Sequence, residues 1–347
     1  MASVFDTALH NLADESQALT ARLLSLLSGP SRNETQAFAA LWPTLTLERR
    51  RQAIAKMVEQ CEERFDVDYG ALFRICLDDS DAEVRRSAID GLWEDEGLDL
   101  VNTLIRMMHT DPNTLVRAAA ASSLANFVYL AECDELEPTR AARVRPALEQ
   151  MIDNPKEDPE VVRRAVEAIS FINDDRVRDI IERTYAQRDE RMKVSALFAM
   201  GRNADPYWTD IVIEELGNAS AIMRFEAARA SGELQLKRAV PLLIGLVKDA
   251  DAEVQTMAVW ALGQVGGKAA ETTLQQLSTS KNEALNDAAL EALGELEFAS
   301  GVMDMMVHDA ETDVEDLTEV NLEEDNLDED DDENSDETWD DDPIELD

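Results

Sequence analysis

The feature that most constrains this chain is a recurrence at fixed spacing. Five segments begin on Val161, Met192, Met223, Val254 and Leu285, each 31 residues after the one before. Every copy carries a small or apolar residue four and eight positions further on, as in Met192, Ala196 and Met200. Two earlier copies begin on Val84 and Val116, a step of 32, which makes seven units. A period of this length indicates stacked supersecondary units, because one unit alone is too small to bury its apolar face.

Apolar positions four apart form one stripe on a helix, and a central Ala lets a neighbouring helix approach closely. Three residues before the anchors stand Asp81, Asn113, Asp158, Asp189, Ser220, Asp251 and Asn282, all of them good N-cap residues. Nine residues after the last four anchors stand Gly201, Gly232, Gly263 and Gly294, which are expected just past the helix ends. A second helix fills the rest of each period, over about 177–185, 208–216, 240–247 and 269–277, with Ile181, Val212, Leu243 and Leu274 in one register. Nothing suggests strands. The fold class is all-α: an α-solenoid of helix-turn-helix repeats over 67–308, preceded by a helical N-terminal cap over 1–66.

The cap contains helices in the first 28 residues, then over about 34–42 and 46–63, with Arg49, Arg50 and Arg51 expected on an exposed face. One irregularity interrupts the array. The step from Val116 to Val161 is 45 residues, 14 beyond the period, and the excess falls in 127–144, with Tyr129, Cys133, Arg140, Arg143 and Arg145. Two lengthened helices or a protruding loop would both account for it.

Charge divides the chain in another way. Of 74 acidic residues, 22 lie between Asp309 and Asp347, where there is no Lys or Arg; the remaining 52 face 32 bases. The last 39 residues are therefore expected to be a disordered acidic tail. Near its end Trp339, Ile344 and Leu346 bring large apolar side chains together and suggest a short docking motif. A body this acidic repels phosphate backbones, so no nucleic-acid partner is expected. Three cysteines without a CxxC pair, no basic start followed by an apolar block, and no apolar run near the roughly 18 residues that cross a bilayer point to a cytoplasmic protein without membrane insertion.

The pattern Asp-x-x-Val-Arg-x-x-Ala-x-x-x-Leu/Met-Gly, with a second helix such as Ala239–Leu246, resembles HEAT repeats, most of all the short bacterial type also found in phycobilin lyases. The resemblance implies a right-handed superhelix whose Val-Arg helices line the concave face. It places Arg163, Arg164, Glu167 and Phe171, then Val194, Ser195, Phe198 and Arg202, at outward positions. Phe225, Glu226, Arg229 and Glu233 follow, then Thr256, Met257, Trp260 and Gln264. A strip of Phe198, Phe225 and Trp260 interleaved with Arg163, Arg164, Arg202 and Arg229 has the composition of a protein-binding surface.

Catalytic signals are missing from the sequence. His10, His109 and His308 have no His or Cys at metal spacing, and no His-Glu dipeptide occurs, which the di-iron hydroxylases of this repeat class depend on. Gly266-Gly267 lacks the Lys-Ser/Thr of a phosphate loop. The expected function is a non-catalytic scaffold or adaptor for a protein partner, without a cofactor, modulated by the tail. Two alternatives stand beside it: a lyase-like protein that holds a tetrapyrrole, and an acidic chaperone for basic proteins.

Overall fold

Two rows of helices run through the computed structural model, which describes residues 3–135 and 138–298. The first row holds α2 (Ala21–Ser25), α4 (Leu47–Glu63), α6 (Ala82–Asp90), α8 (Thr114–Glu132), α10 (Pro159–Ile169), α12 (Glu190–Asn203), α14 (Ala221–Glu233) and α16 (Ala252–Val265). It continues in α18, helical from residue 283. The second row holds α3 (Arg32–Leu41), α5 (Gly70–Cys76), α7 (Leu98–Thr110), α9 (Pro138–Ile152), α11 (Asp175–Tyr185), α13 (Thr209–Glu215), α15 (Val240–Leu246) and α17 (Lys268–Leu277); α1 (Val4–Ala13) covers α2 and α3. Each first-row helix packs on the next, while the second-row helices from α5 to α15 pack mainly on the first-row helix that follows them, α17 packs mainly on α16, and α3 packs on α1 and α5. No strand occurs among the described residues. This is an α-solenoid.

The stripe is the reason the rows stack. All seven anchor+4 alanines, from Ala88 to Ala289, are fully buried, and the anchors Val84, Val116, Val161, Met223, Val254 and Leu285 lie with them in one continuous core; Met192 is buried as well. Asp81, Asn113, Asp158, Asp189 and Asp251 accept backbone N–H groups in the first turns of their helices, each such cap being worth about 1 kcal/mol. Ser220 makes no such bond. Instead its own N–H donates to Asn218 Oδ1 at 2.8 Å.

The glycine expectation is corrected. Gly201, Gly232 and Gly263 lie inside α12, α14 and α16, which run two residues further in each case except α14, where one remains. The left-handed residues that end these helices stand three positions later, at Ala204 (φ 55°), Gln235 (φ 49°) and Gly266 (φ 66°). The glycines serve close approach. A Cβ on Gly232 would sit 3.1 Å from Ala261 Cα, one on Gly201 3.0 Å from Ala230 Cα, and one on Gly263 2.8 Å from Ala292 Cβ. Each glycine thus meets the alanine 29 residues ahead on the next first-row helix, where a side chain would wedge the helices apart.

The arginine expectation for the cap is corrected too. Arg49 takes the anchor position of α4, three residues after the capping Thr46, and is buried. Its guanidinium donates to the carbonyls of Leu12 (2.9 Å) and Asn11 (3.0 Å), which α1 leaves open at its end, and to those of Asp14 (3.1 Å) and Gln17 (2.9 Å) in the turn that follows. Arg50 grips Asp79, and Arg51 pairs with Asp81.

The long interval resolves as lengthened helices. α8 has 19 residues and α9 has 15, and Tyr129 on the extension of α8 meets Phe171 edge-on at 5.4 Å. α8 is also long and apolar enough to span a bilayer by composition, which corrects the absence of such a run expected above. Eight of its side chains are buried in the core, and α6, α7 and α10 pack on it; its apolarity belongs to a central solenoid helix. The boundary at 308/309, the tail and the Trp339, Ile344 and Leu346 motif lie outside the described residues.

Candidate functional site

The arginine that follows three of the seven anchors, at Arg85, Arg117 and Arg224, is absorbed by the frame. Arg85 forks onto Asp111 (2.8 and 2.8 Å), Arg117 bonds Glu157 (2.8 Å), and Arg224 forks onto Asp249 (2.7 and 2.7 Å). In each case the acid belongs to the turn before the next first-row helix. Asp111 Oδ1 and Asp249 Oδ1 also accept the N–H of the following caps, Asn113 and Asp251, at 2.9 Å. The same arginines donate back to their own turns, to the carbonyls of Asp79, Asp111 and Asn218. A guanidinium suits this because its planar fork satisfies a carboxylate and a carbonyl together. The bond to Arg224 holds the Asp249 carboxyl below its usual value.

The ladder stops in the middle of the array. Val162 and Lys193 occupy its arginine positions, with Gln187 and Asn218 where its acids would stand. Other bonds take over. Buried Asn203 donates to the carbonyls of Ser170 (3.1 Å) and Ile172 (2.8 Å) and accepts from Trp208 Nε1 (2.9 Å). Ser195, fully buried, donates to Glu167 Oε1 at 2.5 Å.

The outward strip lies over this same stretch. Arg202 is 43% exposed and stands 5.6 Å from the ring centres of both Phe171 and Phe198. Arg229 lies over the Phe198 ring at 4.1 Å and bonds Glu226 (2.7 Å) and Glu233 (2.6 Å). Tyr129, Phe171, Arg202, Phe198 and Arg229 therefore form one run of rings and guanidiniums across α8, the turn after α10, α12 and α14. Burial pushes the Glu233 carboxyl up, against the pull of Arg229 and Arg202.

The other expected members are placed differently. Arg163 and Arg164 share two carboxylates, with Arg163 to Glu160 at 2.6 Å and Arg164 to Glu167 at 2.8 Å, so the four charges cancel. Burial pulls Glu160 up, but Arg163 and Arg164 hold it below its usual value overall. Phe225, Met257 and Trp260 are half-buried and pack on the core, and Trp260 covers the clearance over Gly232. The sequence reading missed Tyr129 as a member because it lay in the interval without a register. It also missed that Glu160, Glu167, Glu226 and Glu233 engage the strip's arginines, although their spacing of three and four residues is the signal for it.

Among the described residues no cluster of three His, Cys, Asp or Glu could hold a metal ion. The family model for HEAT repeats matches residues 71–138 and 241–326. The chain carries HEAT repeats. The unmatched stretch between the two regions contains Val162 and Lys193, where the arginine ladder is missing, yet its helices keep the 31-residue register. This HEAT-repeat chain is similar to the Escherichia coli protein YibA (18% identity, 70% of this chain and 95% of that one, TM-score 0.42). It is also similar to human deoxyhypusine hydroxylase (18%, 85% and 96%, 0.33) and to yeast importin-beta (14%, 84% and 46%, 0.48). No curated protein matches the sequence.

Proposed function

We propose that the protein is a non-catalytic adaptor that holds a protein partner along the first-row face, centred on Phe171, Phe198, Arg202 and Arg229. The observation that supports this reading most is the run of rings and guanidiniums across four successive repeats. Aromatic and arginine side chains contribute disproportionately to protein interfaces, and a stacked arginine is fixed before it binds. Arg202 is the more exposed of the two arginines on the run, 43% against 11% for Arg229, and its nearest carboxylate, Glu233, is 3.4 Å away. It is therefore the group on this run best placed to meet a partner's acid or carbonyl. The acidic tail would modulate the binding through charge.

Affinity capture with the full chain, with an Arg202→Glu variant and with a chain ending after His308 tests the reading. Arg202 is on the surface, so its reversal leaves the fold intact while reversing the charge between two rings. Loss of a reproducible partner with Arg202→Glu is the expected result. Equal recovery from wild type and variant overturns the assignment of the strip.

A further inference from the structure

Away from the strip, near the N-terminal end of the array, a groove of about 670 Å³ opens between α4, α6 and α8. Small side chains make the room: Ala119, Ser122 and Ser123 of α8 form one side, and Ser122 stands where every other repeat carries a larger group, such as Phe198, Arg229 or Trp260. Trp93, 54% exposed, forms another wall. The ionisable residues that line the groove are both acids, Glu62 and Asp90. Asp90 has one distant partner, Arg86 at 3.6 Å, and partial desolvation together with the Glu62 charge pushes its carboxyl up. Trp93 also borders a second recess of about 550 Å³, whose rim carries Phe65, 98% exposed. The one arginine in that recess, Arg74, is already held by Asp95 and Asp99.

An exposed indole beside two carboxylates, one of them in a loose 3.6 Å pair with the exposed Arg86, is the complement of a planar cation. The ring face attracts it through the quadrupole, and the carboxylates accept its N–H groups. We propose that this groove receives an arginine side chain from a basic peptide segment of a partner protein, stacked on Trp93 and held by Glu62 and Asp90. Arginine fits better than lysine because its flat, weakly hydrated head both stacks and forks. The ring of Phe65 then offers an apolar contact for a residue flanking the arginine. The groove is separate from the Arg202 strip, so this assignment stands or falls independently of it.

The test uses the full chain and a synthetic peptide of alternating Arg and Ser, with a citrulline counterpart of the same shape and no charge. Binding is measured by calorimetry at about 150 mM salt, where diffuse attraction to the acidic tail is screened. Wild type is expected to bind the Arg peptide and not the citrulline one. Glu62→Gln/Asp90→Asn should weaken binding at least about tenfold, and Trp93→Ala about threefold or more, in line with the range for a cation on an indole. Asp175→Asn/Asp210→Asn removes the same charge from exposed sites on the second row and should leave binding unchanged. All five groove and control positions are at the surface, so matched thermal melts verify folding. Equal binding by the groove double variant and the control, equal binding of both peptides, or no binding by wild type overturns the proposal.

Discussion

Replacing Gly232 by Ala sets two effects against each other. Alanine in a helix interior is favoured over glycine by about 0.5–1 kcal/mol, because glycine loses more backbone freedom on folding. Against this, the new methyl would lie 2.6 Å from Trp260 Cζ3 and 3.1 Å from Ala261 Cα, where ordinary carbon contacts are about 3.5–4.0 Å. The indole edge can swing away, but the Ala261 backbone recedes only if α16 moves off α14 by roughly half an ångström. Overpacking of this kind costs about 1–3 kcal/mol, so the net result is a loss of about 1–2 kcal/mol. Gly294 is the control. It has the same position in its repeat, yet a Cβ there meets nothing within 4 Å, so Gly294→Ala should gain about 0.5–1 kcal/mol. Urea unfolding followed by circular dichroism measures both. A shift of the same sign and size at 232 and 294 would refute the close-approach argument and restore a helix-ending role.

Further outcomes follow from the same contacts. Ala204→Gly should stabilise the chain by about 0.5–1 kcal/mol in the same unfolding assay, since the residue ending α12 has φ 55° and glycine adopts it without strain. Arg49→Met keeps the buried volume but removes the side-chain donor from four carbonyls, of which Asp14 alone keeps a backbone bond, so it should cost about 3–5 kcal/mol and raise hydrogen exchange selectively over 4–25; unchanged exchange there rules out the clamp. Asn203→Leu removes two bonds to the preceding repeat and one from Trp208 and should cost about 2–4 kcal/mol, which a melting temperature within a degree of wild type would contradict. Asp249 is held below its usual value by Arg224, so its contribution is present in full above about pH 4 and is lost as pH falls through the lowered value. Asp249→Asn should therefore lower stability at pH 7 and flatten that acid limb, measured by urea midpoints from pH 7 down to 3.

The sequence by itself determined the period, the helix starts and the buried stripe, because these depend on residues three, four and eight apart on one helix. Val84 to Leu285, Ala88 to Ala289 and most of the caps are where the 31-residue register puts them. It also determined which positions vary between copies, and so where a binding face could be written. What only the tertiary structure decided depends on pairs about 30 residues apart. The register does not reveal that Gly232 faces Ala261, that Arg85 reaches Asp111, or that Arg49 gathers carbonyls left open by α1. Periodicity cannot separate a glycine that ends a helix from one that admits a neighbour, since both recur once per repeat; the distance to the next helix separates them. Nor does an outward position tell a free arginine from a paired one. Arg163, Arg164 and Arg229 are occupied by glutamates of their own helices, whereas Arg202 keeps much of its head in water. The groove beside Trp93 needed three helices at once: small residues on α8 open it, and carboxylates from α4 and α6 charge it.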